Sequence, residues 1–387
     1  MEYRKHKGLR LSKIGVGSYS LSGAYGEKDV EEFKNMIKRA YELGVNFFDT
    51  ADAYGEAEKI LGKIVEPFRD EIVISTKVGV KNNIKSNLSY DYIKLACENS
   101  LKKLKTDYID IYNVHFDDPG TPVEETIEAL EELVKEGKIR KYGLGHLPKE
   151  KVDEYIKKGN VFSILMELSA VSRNLSKELL PLCRKNNVAG IAFSVTGRGL
   201  LTGKINKNSE FEKGDIRRLD PQFQKERLEF SLKIKNKLKK IGKKNNMTPV
   251  QVAIAWVLAQ DGIISSLIGP STVEHLKENI GGCKKELSKQ NLDDITQFIQ
   301  EKEKWLEKEQ KNTIKHILYE DLFEEKNKAF VDLIYSIETA ITNKYVVEDE
   351  IMPVFHKLYG MRNKLDEIKN YELKKIQKKI SEMVKFT

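Results

Sequence analysis

Phe47-Phe48-Asp49-Thr50-Ala51-Asp52-Ala53-Tyr54-Gly55 is an apolar strand end that delivers an acid into a polar turn, with a phenol five residues further on. Two later segments end in the same way. Ile72-Val73-Ile74-Ser75-Thr76 runs into Lys77, and Tyr108-Ile109-Asp110-Ile111-Tyr112-Asn113-Val114 runs into His115. Each is a buried-strand pattern that stops at an ionisable residue. In parallel β/α proteins the carboxyl ends of the strands form the active face, so these residues are expected to share one site. A Tyr, Lys, Asp and His meeting there can deliver a proton. The phenol gives it up, the ammonium lowers the phenol's pKa, the carboxylate holds the lysine, and the imidazole orients a substrate oxygen. That chemistry suits reduction of a carbonyl group.

Working outward, apolar runs of strand length alternate with segments of helical period as far as about residue 300, the signature of an α/β protein with a parallel sheet. Strands are expected near 14–18, 46–49, 72–77, 109–115, 141–145, 163–167, 189–194 and 265–268. Eight strands close a (β/α)8 TIM barrel. Between the first two, Val30, Phe33, Ile37, Ala40 and Tyr41 fall at helical spacing over Asp29 to Leu43, and Gly44 supplies the left-handed C-terminal cap.

The set Asp49, Tyr54, Lys77 and His115 resembles the catalytic tetrad of the aldo-keto reductases, NAD(P)H-dependent barrel enzymes. Further motifs follow in order: Gly15-Val16-Gly17-Ser18, the run from His115 to Thr126, the run from Phe193 to Lys204, and the run from Gly269 to Asn279. The resemblance spans residues 1–304 and implies that Arg4 to Ser12 is the hairpin closing the barrel bottom. It also implies NADP(H) as cofactor, a small carbonyl compound as substrate, and no metal. Within it Tyr54 is the proton donor, Lys77 depresses its pKa, Asp49 pairs with Lys77, and His115 orients the carbonyl. Gly17 and Ser18 are assigned to the cofactor.

The cofactor ends are read from the same resemblance. Phe193 takes the place of the ring that stacks on nicotinamide, and Ser194, Gly199, Leu201, Gly203 and Lys204 belong to the pyrophosphate loop. Gly269, Ser271, Thr272, His275, Glu278 and Asn279 face the adenosine end, with Ser271 and Thr272 near a 2′-phosphate. Helix N-termini favour anions there, and Ser271 can also serve as an N-cap with Glu274 completing a capping box. The chain departs from the family at the nicotinamide cradle. His146 and Leu147 stand where relatives carry Ser and Asn, and Leu165 stands at a usual Gln. Two other readings are therefore kept open. One is an NADP(H)-binding regulatory or scaffold protein resembling the potassium-channel β subunits; the other is a sugar-modifying enzyme that recycles bound NADP⁺.

Composition narrows the setting. In 387 residues, 40% are hydrophobic, which allows a large core, and no apolar run reaches the roughly 20 residues of a membrane span. With no signal-peptide pattern, a cytoplasmic protein is expected. Cys97, Cys183 and Cys283 show no metal or disulfide spacing. The net charge of +8 lies wholly before residue 301, since the remainder carries 17 basic and 17 acidic residues. A basic barrel suits an anionic dinucleotide, and no basic cluster interleaved with aromatics points to nucleic acid.

Ile205 to Arg227 lacks a period and reads as a long loop, with Arg217 and Arg218 as candidate contacts for an anion. From 305 to 387, apolar residues return at three- and four-residue steps. About three helices are expected there as a C-terminal appendage, serving a homo-oligomer or a protein partner.

Overall fold

The computed structural model describes residues 1–317, apart from 26–28, 82–84, 212–214, 216, 218, 219 and 224. Eight parallel strands close into a barrel in chain order. They are β1 (Ile14–Gly17), β2 (Phe47–Asp49), β3 (Val73–Val78), β4 (Ile109–Phe116), β5 (Ile139–His146), β6 (Ser163–Glu167), β7 (Ala189–Phe193) and β8 (Ile263–Ile268). All eight fall where the apolar runs predict them. β3 is buried along its whole length and β4 up to its last residue, as strands covered on both faces must be.

The helices are α1 (Val30–Glu42), α2 (Ala57–Val65), α3 (Tyr90–Leu104), α4 (Val123–Lys135), α5 (Lys149–Lys158), α6 (Asn174–Lys185), α7 (Lys225–Asn245), α8 (Pro249–Leu258), α9 (Val273–Ile280) and α10 (Lys289–Ile317). Their faces explain why they form. Helix α1 buries Phe33, Met36, Ile37 and Ala40, begins at Asp29, whose side chain accepts from the N–H of Glu31 and Glu32, and is followed by Gly44 at φ 85°. A residue with a Cβ would be strained at that angle.

The barrel lumen is packed with Leu11, Phe47, Ile111, Phe162, Leu165, Ile191 and their neighbours. Below them, a hairpin of Tyr3–His6 and Leu9–Ser12 closes the amino-terminal end, as the sequence predicts, and contributes Leu9 and Leu11 to the same cluster. It is tied down by Arg4 donating to the carbonyls of Leu258 (2.9 Å) and Ile263, and by Ser12 N–H donating to Asn46 Oδ1 (2.7 Å). Also at this end, Asp110 is fully buried near the start of β4. It accepts from Arg69 Nη2 (2.8 Å), Arg140 Nη1 (2.9 Å) and Ile74 N–H (2.9 Å), while both guanidinium groups lie about the Tyr108 ring at 4.1 and 4.0 Å.

The contacts divide the chain into two compact units: Met1–Lys204 with Lys235–Ile295, and Ile205–Ile234 with the residues from Thr296 onward. The first holds the barrel. In the second, Arg217 makes a two-pronged ion pair with Asp215 and lies 4.7 Å from the centroid of Phe211, and Lys233 lies 3.5 Å from that of Trp305. Arg218 lies outside the described residues. So do the helices expected beyond residue 317; α10 runs unbroken across 304 and 305. Among the described residues no helix is long and apolar enough to cross a membrane, and all three cysteines are free and buried.

Candidate active site

The carboxyl ends of β2, β3 and β4 lie side by side, with Asp49 in register with Ser75 and Lys77 with Asn113. That register brings the ionisable strand ends together. Lys77 Nζ donates to Asp49 Oδ2 (2.6 Å) and to the Thr50 carbonyl (2.7 Å), and all three residues are buried. The turn after β2 is pinned by Thr50 N–H to the Ser75 carbonyl (2.8 Å), Asp52 N–H to the Lys77 carbonyl (3.3 Å) and Tyr54 N–H to the Ala51 carbonyl (3.1 Å). Tyr54 is thereby held over the lysine, with Nζ 4.9 Å from its ring centroid, and meets His115 edge-on at 5.8 Å. Tyr19 covers its other side at 5.0 Å.

The electrostatics differ from expectation at one point. Burial, then the Asp49 carboxylate, raises the Tyr54 phenol well above its ordinary pKa. The sequence reading had Lys77 depress it. Burial and the acid outweigh the pull of the lysine, whose ammonium is turned to Asp49 and Thr50. Tyr54 therefore stays protonated across the neutral range. Burial, followed by the Lys77 charge, pushes His115 well below the ordinary imidazole value, so its ring is neutral, and its Nδ1 has no partner among the described residues.

On the opposite side of the mouth, Phe193 ends β7 and packs on the lumen cluster. The loop that follows bends tightly, with positive φ at Ser194 (54°), Gly197 (60°), Arg198 (52°), Gly199 (99°) and Gly203 (93°). Runs of such residues turn backbone N–H groups toward one point and favour anions. At its end Lys204 Nζ contacts His275 Nε2, and Ser271 Oγ lies 2.9 Å from His275 Nδ1. The loop after β7 and the start of α9 thus present Lys204, His275 and Ser271 as one group. The cap of α9 is Thr272 and not Ser271, and its side chain accepts from His275 N–H (3.2 Å), so the Ser271–Glu274 capping box does not form. Ser271 is drawn instead to the imidazole. Gly17 ends β1, and Ser18 N–H donates to the Asp49 carbonyl (2.8 Å), which ties this turn to the acid. Leu201 is fully buried with its N–H on the Thr196 carbonyl, Asn279 is buried, the Glu278 carbonyl accepts from Gln251, and Gly269 follows β8 directly.

Residues 13–300 match the model of the aldo/keto reductase family. The chain belongs to that family. It is 32% identical over 306 residues to "Probable aldo-keto reductase 1" of Glycine max, covering 76% of this chain and 87% of that protein. It is 34% identical over 294 residues to "Aldo-keto reductase yakc [NADP(+)]" of Schizosaccharomyces pombe (73% and 86%). The structure of the glycerol dehydrogenase AKR11B4 from Gluconobacter oxydans superposes with a TM-score of 0.70 at 28% identity, covering 76% and 94%. As an aldo-keto reductase the chain is an oxidoreductase.

The residues that the resemblance places beside the nicotinamide are Leu165, Leu147 and His146. Leu165 and Leu147 are each 2% exposed, and Leu165 packs in the lumen, so neither offers a hydrogen bond. His146 is exposed at the end of β5. Its ring stacks on Phe116 (4.9 Å, 14°) and lies 5.0 Å from Phe193. On β6 the inward face continues two residues past Leu165 to Glu167, which accepts from Arg198 Nη2 at 3.2 Å. Sequence reasoning missed that pair, and it missed Ser75 and Asn113, which are buried beneath Asp49. The signal was available: each is a polar residue inside an apolar strand, and a buried polar group demands a partner.

Proposed function

We propose that this protein reduces an aldehyde or ketone to an alcohol using NADP(H), with Tyr54 as the proton donor. The observation that carries the reading is the convergence of Tyr54, His115 and the buried Lys77–Asp49 pair at one end of the barrel. The dinucleotide fits the residues opposite. The positive-φ loop from Ser194 to Gly203 suits a pyrophosphate, and the group of Lys204, His275 and Ser271 suits a 2′-phosphate. Phe193 supplies a flat apolar face for the nicotinamide, and His146 is the polar ring beside it.

The nucleotide supplies the hydride when bound. Neutral His115 donates a hydrogen bond that fixes the carbonyl oxygen toward Tyr54, and the protonated phenol passes its proton to that oxygen as it becomes an alkoxide. Lys77 stands by the resulting phenolate, where its charge is needed, and Asp49 keeps that ammonium in place. The phenol then regains a proton from solvent. The intact, tightly paired lysine argues against a purely scaffolding role.

A screen of NADPH oxidation over aldehydes, ketones and aldoses tests the activity, with Tyr54→Phe in parallel. General acid catalysis accounts for roughly 10²- to 10⁴-fold, so the variant is expected to lose that factor in kcat while its nucleotide Kd is unchanged. A variant retaining most of its kcat would remove Tyr54 from the mechanism.

A further inference from the structure

Both oxygens of Asp49 are occupied, but only one by the lysine. Oδ1 accepts from Ser75 Oγ (2.8 Å), Ser75 Oγ accepts from Asn113 Nδ2 (2.9 Å), and the same amide nitrogen donates to the Thr76 carbonyl (3.1 Å). Donation runs from amide to hydroxyl to carboxylate across β4, β3 and β2, and the same carboxylate accepts at its other oxygen from the ammonium. Exposure is 0% for Asn113 and Ser75, 5% for Asp49 and 4% for Lys77. Water does not substitute for a lost link in so closed a site. Room for the Asn113 side chain comes from the next strand, because a Cβ on Gly143 would lie 2.3 Å from Asn113 Oδ1 and 2.6 Å from Ser163 Oγ.

From this geometry we propose that Ser75 and Asn113 are positioning residues for catalysis, fixing the Asp49 carboxylate so that its second oxygen holds Lys77 against Tyr54. The inference rests on the reading of Tyr54 and Lys77 above. Three properties of the chain support it. Aligned hydrogen bonds polarise one another, so the Asn113 amide strengthens what Ser75 gives to Asp49. A carboxylate bonded at both oxygens has no rotation left to it, whereas one held only by a flexible lysine can swing about its Cβ–Cγ bond. Ser75 and Asn113 are both fully buried, and the side-chain route from them to the ionisable residues is the Asp49 carboxylate.

The test is the pair Ser75→Ala and Ser75→Thr, with Gly143→Ala pressing on Asn113 from the neighbouring strand. Losing one hydrogen bond to a charged group corresponds to about 10- to 100-fold, so Ser75→Ala is expected to lower kcat by that factor. KM and the Kd for NADP⁺ should not change, a split that a general loss of structure would not give. Ser75→Thr restores the hydroxyl and with it kcat; Gly143→Ala gives a weaker copy of the alanine phenotype. A crystal structure of Ser75→Ala should show the Lys77 Nζ to Asp49 Oδ2 separation lengthened from 2.6 Å. If kcat and that separation both stay at wild-type values, or if threonine in a folded protein restores nothing, the proposal is wrong. A wild-type protein that oxidises no NADPH with any carbonyl would sink the functional reading instead, and the measured separation would still decide the positioning role.

Discussion

Replacing Asp49 by asparagine removes the carboxylate bonded to Lys77 while keeping an amide oxygen for Ser75 to donate to. The lysine then stands with its charge uncompensated 4.9 Å from the centre of the Tyr54 ring. At an effective dielectric near 20, a unit charge at that distance favours the phenolate by about 3 kcal/mol, or about two pKa units. Loss of Asp49 acts in the same direction, since its charge raises the phenol. The sign is therefore unambiguous. Reduction requires the protonated phenol, so activity falls as pH rises through the Tyr54 pKa, and Asp49→Asn brings that fall down into the measurable alkaline range. Breaking a buried ion pair also costs about 3–5 kcal/mol of stability. The assay is kcat for NADPH oxidation from pH 6 to 10.5, with urea unfolding alongside. A basic limb that stays where the wild type has it would mean that Lys77 does not act on the phenol.

Two further predictions follow from the site's rim. Lys204→Ala is expected to raise the Kd for NADPH about tenfold and leave that for NADH unchanged, as read by fluorescence titration, because a charged hydrogen bond to phosphate is lost only with the phosphorylated nucleotide. Asp52, which burial and then Glu58 push up to about 7, takes up a proton on folding, so stability falls as pH rises from the ordinary carboxylate range of about 4 to about 7 and is level above. Denaturant melts at pH 5 and pH 8 should show that slope in the wild type and lose it in Asp52→Asn; equal slopes would clear Asp52 of the effect.

The barrel was legible because its strands are mainly apolar and separated by helices with distinct faces, and the meeting of Asp49, Lys77 and His115 because each lies at the end of such a strand, with Tyr54 in the turn after the first. What stayed hidden depends on three-dimensional neighbours. Nothing in the run from Val73 to Lys77 says that Ser75 reaches across to Asp49, since strand register is set by the closed barrel. The direction of the Tyr54 shift depends on how deeply the fold buries the phenol and how near it brings Asp49. The cap of α9 moved one residue because the His275 ring competes for Ser271. The Glu167–Arg198 pair joins a strand end to a loop 31 residues later, a contact with no periodic trace.

The Asp110 clasp joins Arg69, Arg140 and Tyr108 at the end of the barrel away from the chemistry. Its consequence is a division of labour along the barrel axis: cohesion is anchored at one rim, and reactivity is set at the other. Loops above β5, β6 and β7 can be exchanged by mutation or by a protein engineer while this lower rim holds the staves together, so a new substrate range can be explored from this scaffold without first rebuilding it.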